Sequence, residues 1–287
     1  MTPKPKSLIL DLLSTVGEHA MPVRALVASG DVFGITPESI RVALVRLLEQ
    51  GTIERNERGQ YRISAAAHAV QRHVVAWHRI DEKLAPWRGG WVGVHSAGSK
   101  RTNRAALRRR ERALLFLGLR ELDGGLWLRP DNLRGGVDAV RRELLDLGLD
   151  QEAPVFGMSH LDAALDTRAR RLWNTSELRR GYRETRVRLE RSAARLPQMP
   201  PREAMAESFL LGGEAIRQIV LDPLLPEPIV PAGERAELIA TMERYDRLGR
   251  DRWRPFMREH GAPHPRTPLD PQAHRPPLGG TAATMGG

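Results

Sequence analysis

The chain has 287 residues, of which 41% are hydrophobic and 28% charged, with a formal net charge of +10. This length accommodates two or three units of ordinary domain size. The lack of cysteine excludes disulfides, zinc fingers, thiol nucleophiles and iron-sulfur ligation, no apolar run approaches a membrane span, and the polar first six residues are unlike a secretory leader, so a cytoplasmic location is expected.

The positive balance favours a polyanionic partner such as nucleic acid. Its distribution weakens that inference: residues 1–64 carry a net +1, residues 65–150 a net +6 and residues 151–262 a net +2. The excess therefore lies in the middle of the chain, where it serves solubility equally well. The nine histidines are scattered without a helical pair, so no metal motif and no bound cofactor are expected.

In chain order, Ser7 reads as the cap of a helix carrying Leu8, Ile9, Leu12, Leu13 and Val16 at helical spacing and stopping at Gly17. Val23, Leu26 and Val27 predict a second helix ending near Gly30. Thr36 as cap and Pro37 at the first position open a third, whose Ile40, Ala43, Leu44, Leu47 and Leu48 share one face before Gly51. Residues 52–55 and 60–64 then read as two strands around a turn. Three helices and a hairpin in this order describe a winged helix-turn-helix over residues 1–64.

In such a unit the third helix can enter a major groove with the side opposite its core. Val42, Val45, Arg46 and Glu49 occupy that side, with Ser39 and Arg41 at its borders. Arg41 and Arg46 are candidates for guanine edges or phosphates, and Val42 and Val45 for thymine methyl groups. Thr36 and Ser39 stand at the helix start, where phosphates bind well. Arg55, Arg58 and Arg62 would let the wing touch the DNA backbone or minor groove. The same fold also serves as a protein-interaction module, and arginine on an exposed helix is commonly only solvated.

Residues 65–85 read as a helical linker. Strands at 91–95, 125–128 and 155–158 alternate with helices at 104–119 and 137–147, a β-α-β-α-β order that predicts a ferredoxin-like domain over residues 86–160. Along the first of these helices Arg104, Arg108, Arg109 and Arg112 share one side and Ala106, Leu107, Ala113, Leu114 and Leu117 the other, with Arg110 among the apolar positions. The basic side can meet phosphates or simply face water. Trp87, Trp91 and Trp127 can stack on bases or fill a core, and the surrounding Gly-Leu-Trp-Leu-Arg-Pro does not fit an RNA-recognition sheet. Helices at 165–172, 177–196, 201–221 and 232–248 predict a helical domain over residues 161–262, and the Pro- and Gly-rich residues 263–287 a disordered tail. The expected class is α+β and multidomain.

Three segments in this order resemble the PaaX-type transcriptional repressors of phenylacetate degradation. They are Ile40, Arg41, Val42, Ala43, Leu44, Val45, Arg46 and Leu47; then Gly118 and Leu119 followed by Gly125, Leu126, Trp127, Leu128, Arg129 and Pro130; then Leu172 and Trp173, Tyr182, and Leu221, Asp222, Pro223, Leu224, Leu225 and Pro226. The resemblance implies a cytoplasmic homodimeric repressor that binds a double-stranded DNA operator. It also implies a central domain of Cas2-like fold and release from DNA by an acyl-CoA thioester, phenylacetyl-CoA in the phenylacetate member. The basic residues Arg104, Arg108, Arg109 and Arg112 have the charge to meet the phosphates of such an effector.

Two readings from other classes compete: a magnesium-dependent nuclease of Cas2 type, and a winged-helix interaction scaffold. The nuclease needs carboxylates at the end of the first central strand, where the sequence runs His95, Ser96, Ala97, Gly98. A thioester hydrolase is disfavoured because His95 and Ser96, adjacent on a strand, point to opposite faces. No enzyme is therefore expected.

Overall fold

The computed structural model describes residues 2–17, 19–65, 74, 76–96 and 104–263. Nine of the 21 residues of the proposed linker, 66–73 and 75, the Ala97 and Gly98 that follow the first central strand, and the tail beyond residue 263 lie outside the described residues. The fold is α+β, with nine α-helices and two small antiparallel sheets among the described residues.

The N-terminal unit runs α1 (Pro5–Thr15), β1 (Met21–Pro22), α2 (Val23–Val32), α3 (Pro37–Glu49), β2 (Ile53–Arg55) and β3 (Gln60–Ile63). Its sheet has the order β1-β3-β2, with Met21 opposite Tyr61 and Ile53 opposite Ile63. One expectation needs correction. Ser7 is not the cap of α1: the helix begins two residues earlier, Lys4 stands at the cap without a side-chain bond, and Pro5 supplies the preset backbone of the first turn. Near Gly30, as expected, α2 ends at Val32; Gly30 itself lies in the last turns, where Ile40 packs so closely that a Cβ would come within 2.7 Å of its side chain. The stop is Gly34, whose φ of +70° suits glycine.

The middle unit runs β4 (Trp91–His95), α4 (Arg104–Phe116), β5 (Arg120–Asp123), β6 (Leu126–Pro130), α5 (Gly136–Asp146) and β7 (Val155–Met158). The sheet order is β5-β6-β4-β7, every pair antiparallel. The order is thus β-α-β-β-α-β rather than the β-α-β-α-β read from the sequence. The missing strand, β5, reads Arg-Glu-Leu-Asp and carries a register shift at the sheet edge. Its polar residues give no alternation to detect, and polar edges are how sheets avoid pairing with strangers. The helix before it stops at Phe116 because Gly118 turns into the left-handed region at φ +75°.

Beyond the sheet lie α6 (Ala163–Arg170), α7 (Thr175–Arg195), α8 (Pro201–Val220) and α9 (Gly233–Glu259). Leu189, Leu211, Ala215, Leu238, Met242 and Tyr245 from the last three join Trp91, Val92, Leu114, Leu128 and Leu144 of the middle unit in one continuous core. The α9 helix continues well past residue 248, through Pro255, and its far end carries Trp253 and Met257 into the core of the N-terminal unit together with Met205 of α8.

The aromatic alternatives resolve toward packing, Trp127 lying half-buried against the core. Trp91 is 1% exposed and stacks on Trp173 at 6.4 Å, while Trp87 meets it edge-on at 5.4 Å. Gly118 and Arg129 meet Trp173 and Leu224 in a buried joint. Arg129 donates to the Leu117 carbonyl and to Asn132 Oδ1, and Asn132 Nδ2 donates to the Leu224 carbonyl at 2.6 Å. Trp173 Nε1 reaches the Gly118 carbonyl at 3.1 Å. Leu224 holds a left-handed φ of 53°, pinned by the hydrogen bond that its backbone N–H donates to Asp222 Oδ1 at 2.8 Å, and Asp222 in turn accepts from the Tyr182 hydroxyl at 2.5 Å.

Candidate nucleic-acid interface

The third helix is built to keep one side dry and the other wet. Thr36 Oγ1 accepts from the Ser39 amide at 3.3 Å and donates to Ser39 Oγ at 3.0 Å, and Gly51 takes φ +63° just beyond the other end. Ile40, Ala43, Leu44 and Leu47 are buried. The side chains on the opposite side reach solvent: Thr36, Ser39, Arg41, Arg46 and Glu49 are exposed, and Val42 and Val45 stay 49% and 53% exposed. Arg41 is loosely paired with Glu38 at 3.6 Å, an exposed pair that costs little to exchange for a phosphate.

The wing is closed by Asn56, whose Oδ1 accepts the amides of Arg58 at 3.1 Å and Gln60 at 2.9 Å, with Gly59 at φ +73°. Sequence reasoning named the arginines here but not Asn56, although asparagine at the first and glycine at the fourth position is a turn signal. Arg58 is exposed in this turn. Arg55 lies over the Tyr61 ring at 5.9 Å, and Arg62 is tied to Glu54 at 2.5 Å across the strand pair. The wing therefore offers Arg58 directly and Arg62 only as half of an ion pair.

On α4, Arg104, Arg108, Arg109 and Arg112 are all exposed, and none forms an ion pair with a carboxylate among the described residues. Arg110 turns inward, donating to the Ser96 carbonyl at 3.0 Å and to Asp150 at 2.5 Å. At the end of β4, Ser96 Oγ donates to the Gly125 carbonyl at 3.1 Å.

A further feature escaped the sequence. A cavity of about 330 Å³ lies between the 3-10 stretch Trp77–Lys83 and α5, with Leu133 and Val140 at its base and Arg79, Lys83, Arg134 and Glu143 around it. Burial pushes the Lys83 amine below its ordinary value, Glu143 partly opposing. These residues come from three separated segments, so no spacing announced them. Among the described residues no group of histidine and carboxylates is arranged to hold a metal, and no helix is long and apolar enough to cross a membrane.

Residues 4–67 match the PaaX-like protein family. This is the family that the sequence resembles, a family of regulators, and the matched stretch contains the whole of α1 to β3. Among solved structures, the uncharacterized protein Rv0674 from Mycobacterium tuberculosis is similar with a TM-score of 0.55 and 23% identity, over 87% of this chain and 98% of that one. That likeness shows a shared fold. The comparison with curated proteins finds no match.

Proposed function

We propose that the chain is a DNA-binding transcriptional regulator, a cytoplasmic homodimeric repressor of an aromatic or related acid catabolic operon, relieved by an acyl-CoA thioester. The observation that carries this reading is the α3 surface: a capped helix, inside the segment matching PaaX-like proteins, leaves Arg41, Val42, Val45 and Arg46 open to solvent on one side. The order α1-β1-α2-α3-β2-β3 supports a winged helix-turn-helix, and the sheet order β5-β6-β4-β7 supports a ferredoxin-like, Cas2-like centre.

In this reading Thr36, Ser39, Arg41 and Arg46 meet phosphates or guanine edges, and Arg55, Arg58 and Arg62 follow the backbone beside the groove. Phosphate contacts supply affinity and position, and a few side chains of α3 supply choice of sequence. The four exposed arginines of α4 would receive the phosphates of the thioester. Such an effector acts only if it favours a state that fits the operator less well.

The test is a gel shift and footprint on the promoter of the chain's own gene, with a panel of CoA thioesters. A discrete footprint lost with Arg46→Ala and weakened by one thioester is expected. Unchanged affinity of the Arg46→Ala variant would leave the scaffold reading standing in its place, and indifference to every thioester would remove the effector alone.

A further inference from the structure

Apolar side chains of the N-terminal unit are almost all inside it. Among its described residues, the large hydrophobics left exposed are Val23, at the first turn of α2, and the pair Val42 and Val45 in the middle of α3. No intrahelical reason favours that pair. Valine is a poor helix former because its branched Cβ loses rotamer freedom, and an exposed valine gains nothing from burial. Three positions apart, the two are neighbours on one helix face. Their flanks are polar and charged: Ser39, Arg41 and Arg46 beside them, with Glu38 and Glu49 toward the two ends.

Resting on the DNA-binding reading above, we propose that α3 chooses its duplex by the C5 methyl of thymine, with Val42 and Val45 as the residues that read it. The cationic side chains bring the face to a polyanion, and the valines then need an apolar partner within the groove. The major-groove edge of an A·T pair offers one, since thymine alone among the ordinary bases carries a methyl group there. The spacing fits. The two residues are separated by about 4.5 Å of helix rise, against about 3.4 Å between successive bases of a strand. Methyl groups on adjacent or next-but-one base pairs are therefore within reach of both, and the selected sequence contains closely spaced thymines.

The experiment uses the full chain and a random-core duplex library. Duplexes enriched over several rounds are resynthesised with deoxyuridine at every thymidine, which removes only the methyl groups, and are titrated with wild type and with Val42→Ala/Val45→Ala. Wild type is expected to bind the uracil duplex about ten-fold more weakly, from two lost methyl contacts. The double variant, which keeps only the shorter Cβ methyls, is expected to lose most of the difference between the two duplexes; its exposed, helix-favouring alanines leave the unfolding midpoint unchanged or raised. Equal wild-type affinity for the two duplexes, or a variant as sensitive to the methyl as wild type, overturns the methyl inference while DNA binding stands. Absence of any enrichment overturns the DNA-binding reading and this inference with it.

Discussion

At Gly118 a single hydrogen atom decides how two parts of the molecule meet. Its φ is +75°, and a Cβ there would sit 2.7 Å from the Pro223 Cα, a backbone atom that cannot swing aside. Gly118→Ala should therefore cost about 2–4 kcal/mol, from the left-handed penalty and overpacking together, as measured by urea unfolding; an unchanged midpoint would mean that the joint is looser than its geometry. The neighbouring Arg129 is 2% exposed, and burial brings its pKa down to about 10, so it stays charged at neutral pH with carbonyl oxygens as its solvent. Gly118, Arg129 and the residues Leu221 to Pro226 stood out in the sequence as marks of resemblance. Their purpose was hidden because Asn132 and Leu224, which close the joint, lie 92 residues apart. His78 was equally invisible. Its Nε2 is buried without a hydrogen-bond partner among the described residues, and the ring is faced by Arg79 of its own stretch and by Glu243, Asp246 and Arg250 of α9. Burial foremost, then Arg79, holds its pKa below 6.5, the two carboxylates opposing. The unfolded chain takes up the proton first, so the stability that His78 contributes is present above pH 6.5 and drains away as the pH falls below it. A His78→Asn variant should lose less stability than wild type between pH 7.5 and 5.5, and parallel losses would show that other groups govern this range.

Among the elements, α3 was the most legible, because cap, Pro37, apolar stripe and terminal glycine all agree locally. The two-residue β1 and the polar edge β5 were not, since neither is long or alternating enough to carry a period. The far end of α9 was hidden for a different reason: its apolar residues Trp253, Phe256 and Met257 answer to a surface in another unit. There Trp253 packs against Phe33 of the α2–α3 turn at 6.3 Å and Phe209 of α8 at 5.7 Å, with its Nε1 donating to the Met205 carbonyl at 3.0 Å. Polar clasps surround this contact, Arg202 to Asp31 at 2.5 Å and Arg24 Nε to the His260 carbonyl at 2.8 Å. Trp253→Ala should cost about 3–5 kcal/mol. Hydrogen exchange should quicken in α2 and leave β4 and β6 protected; uniform loosening of both sheets would instead mean that the units do not open separately.

For the molecule as a whole, charge and proposed partner do not coincide in the way a simple count would have it. The N-terminal unit is nearly neutral, and the surplus sits in the centre, where α4 displays its four arginines. Replacing Arg104, Arg108, Arg109 and Arg112 by Gln removes four of the ten net charges and touches no residue of the α3 surface. The variant should keep its footprint, lose its response to the thioester, and show a smaller salt dependence of non-specific binding. A retained response would move the effector to another place, for which the cavity beside Lys83 and Arg134 is the concrete choice.

The N-terminal unit also borrows part of its interior: Met205, Trp253 and Met257 come from more than a hundred residues downstream of Ile63. Anyone transplanting residues 4–67 into another scaffold, or cutting them free for study, would expose the apolar seat that these three side chains fill. A graft that carries α8 and the end of α9 along with it should be soluble and folded, whereas the family segment alone should aggregate at concentrations the full chain tolerates.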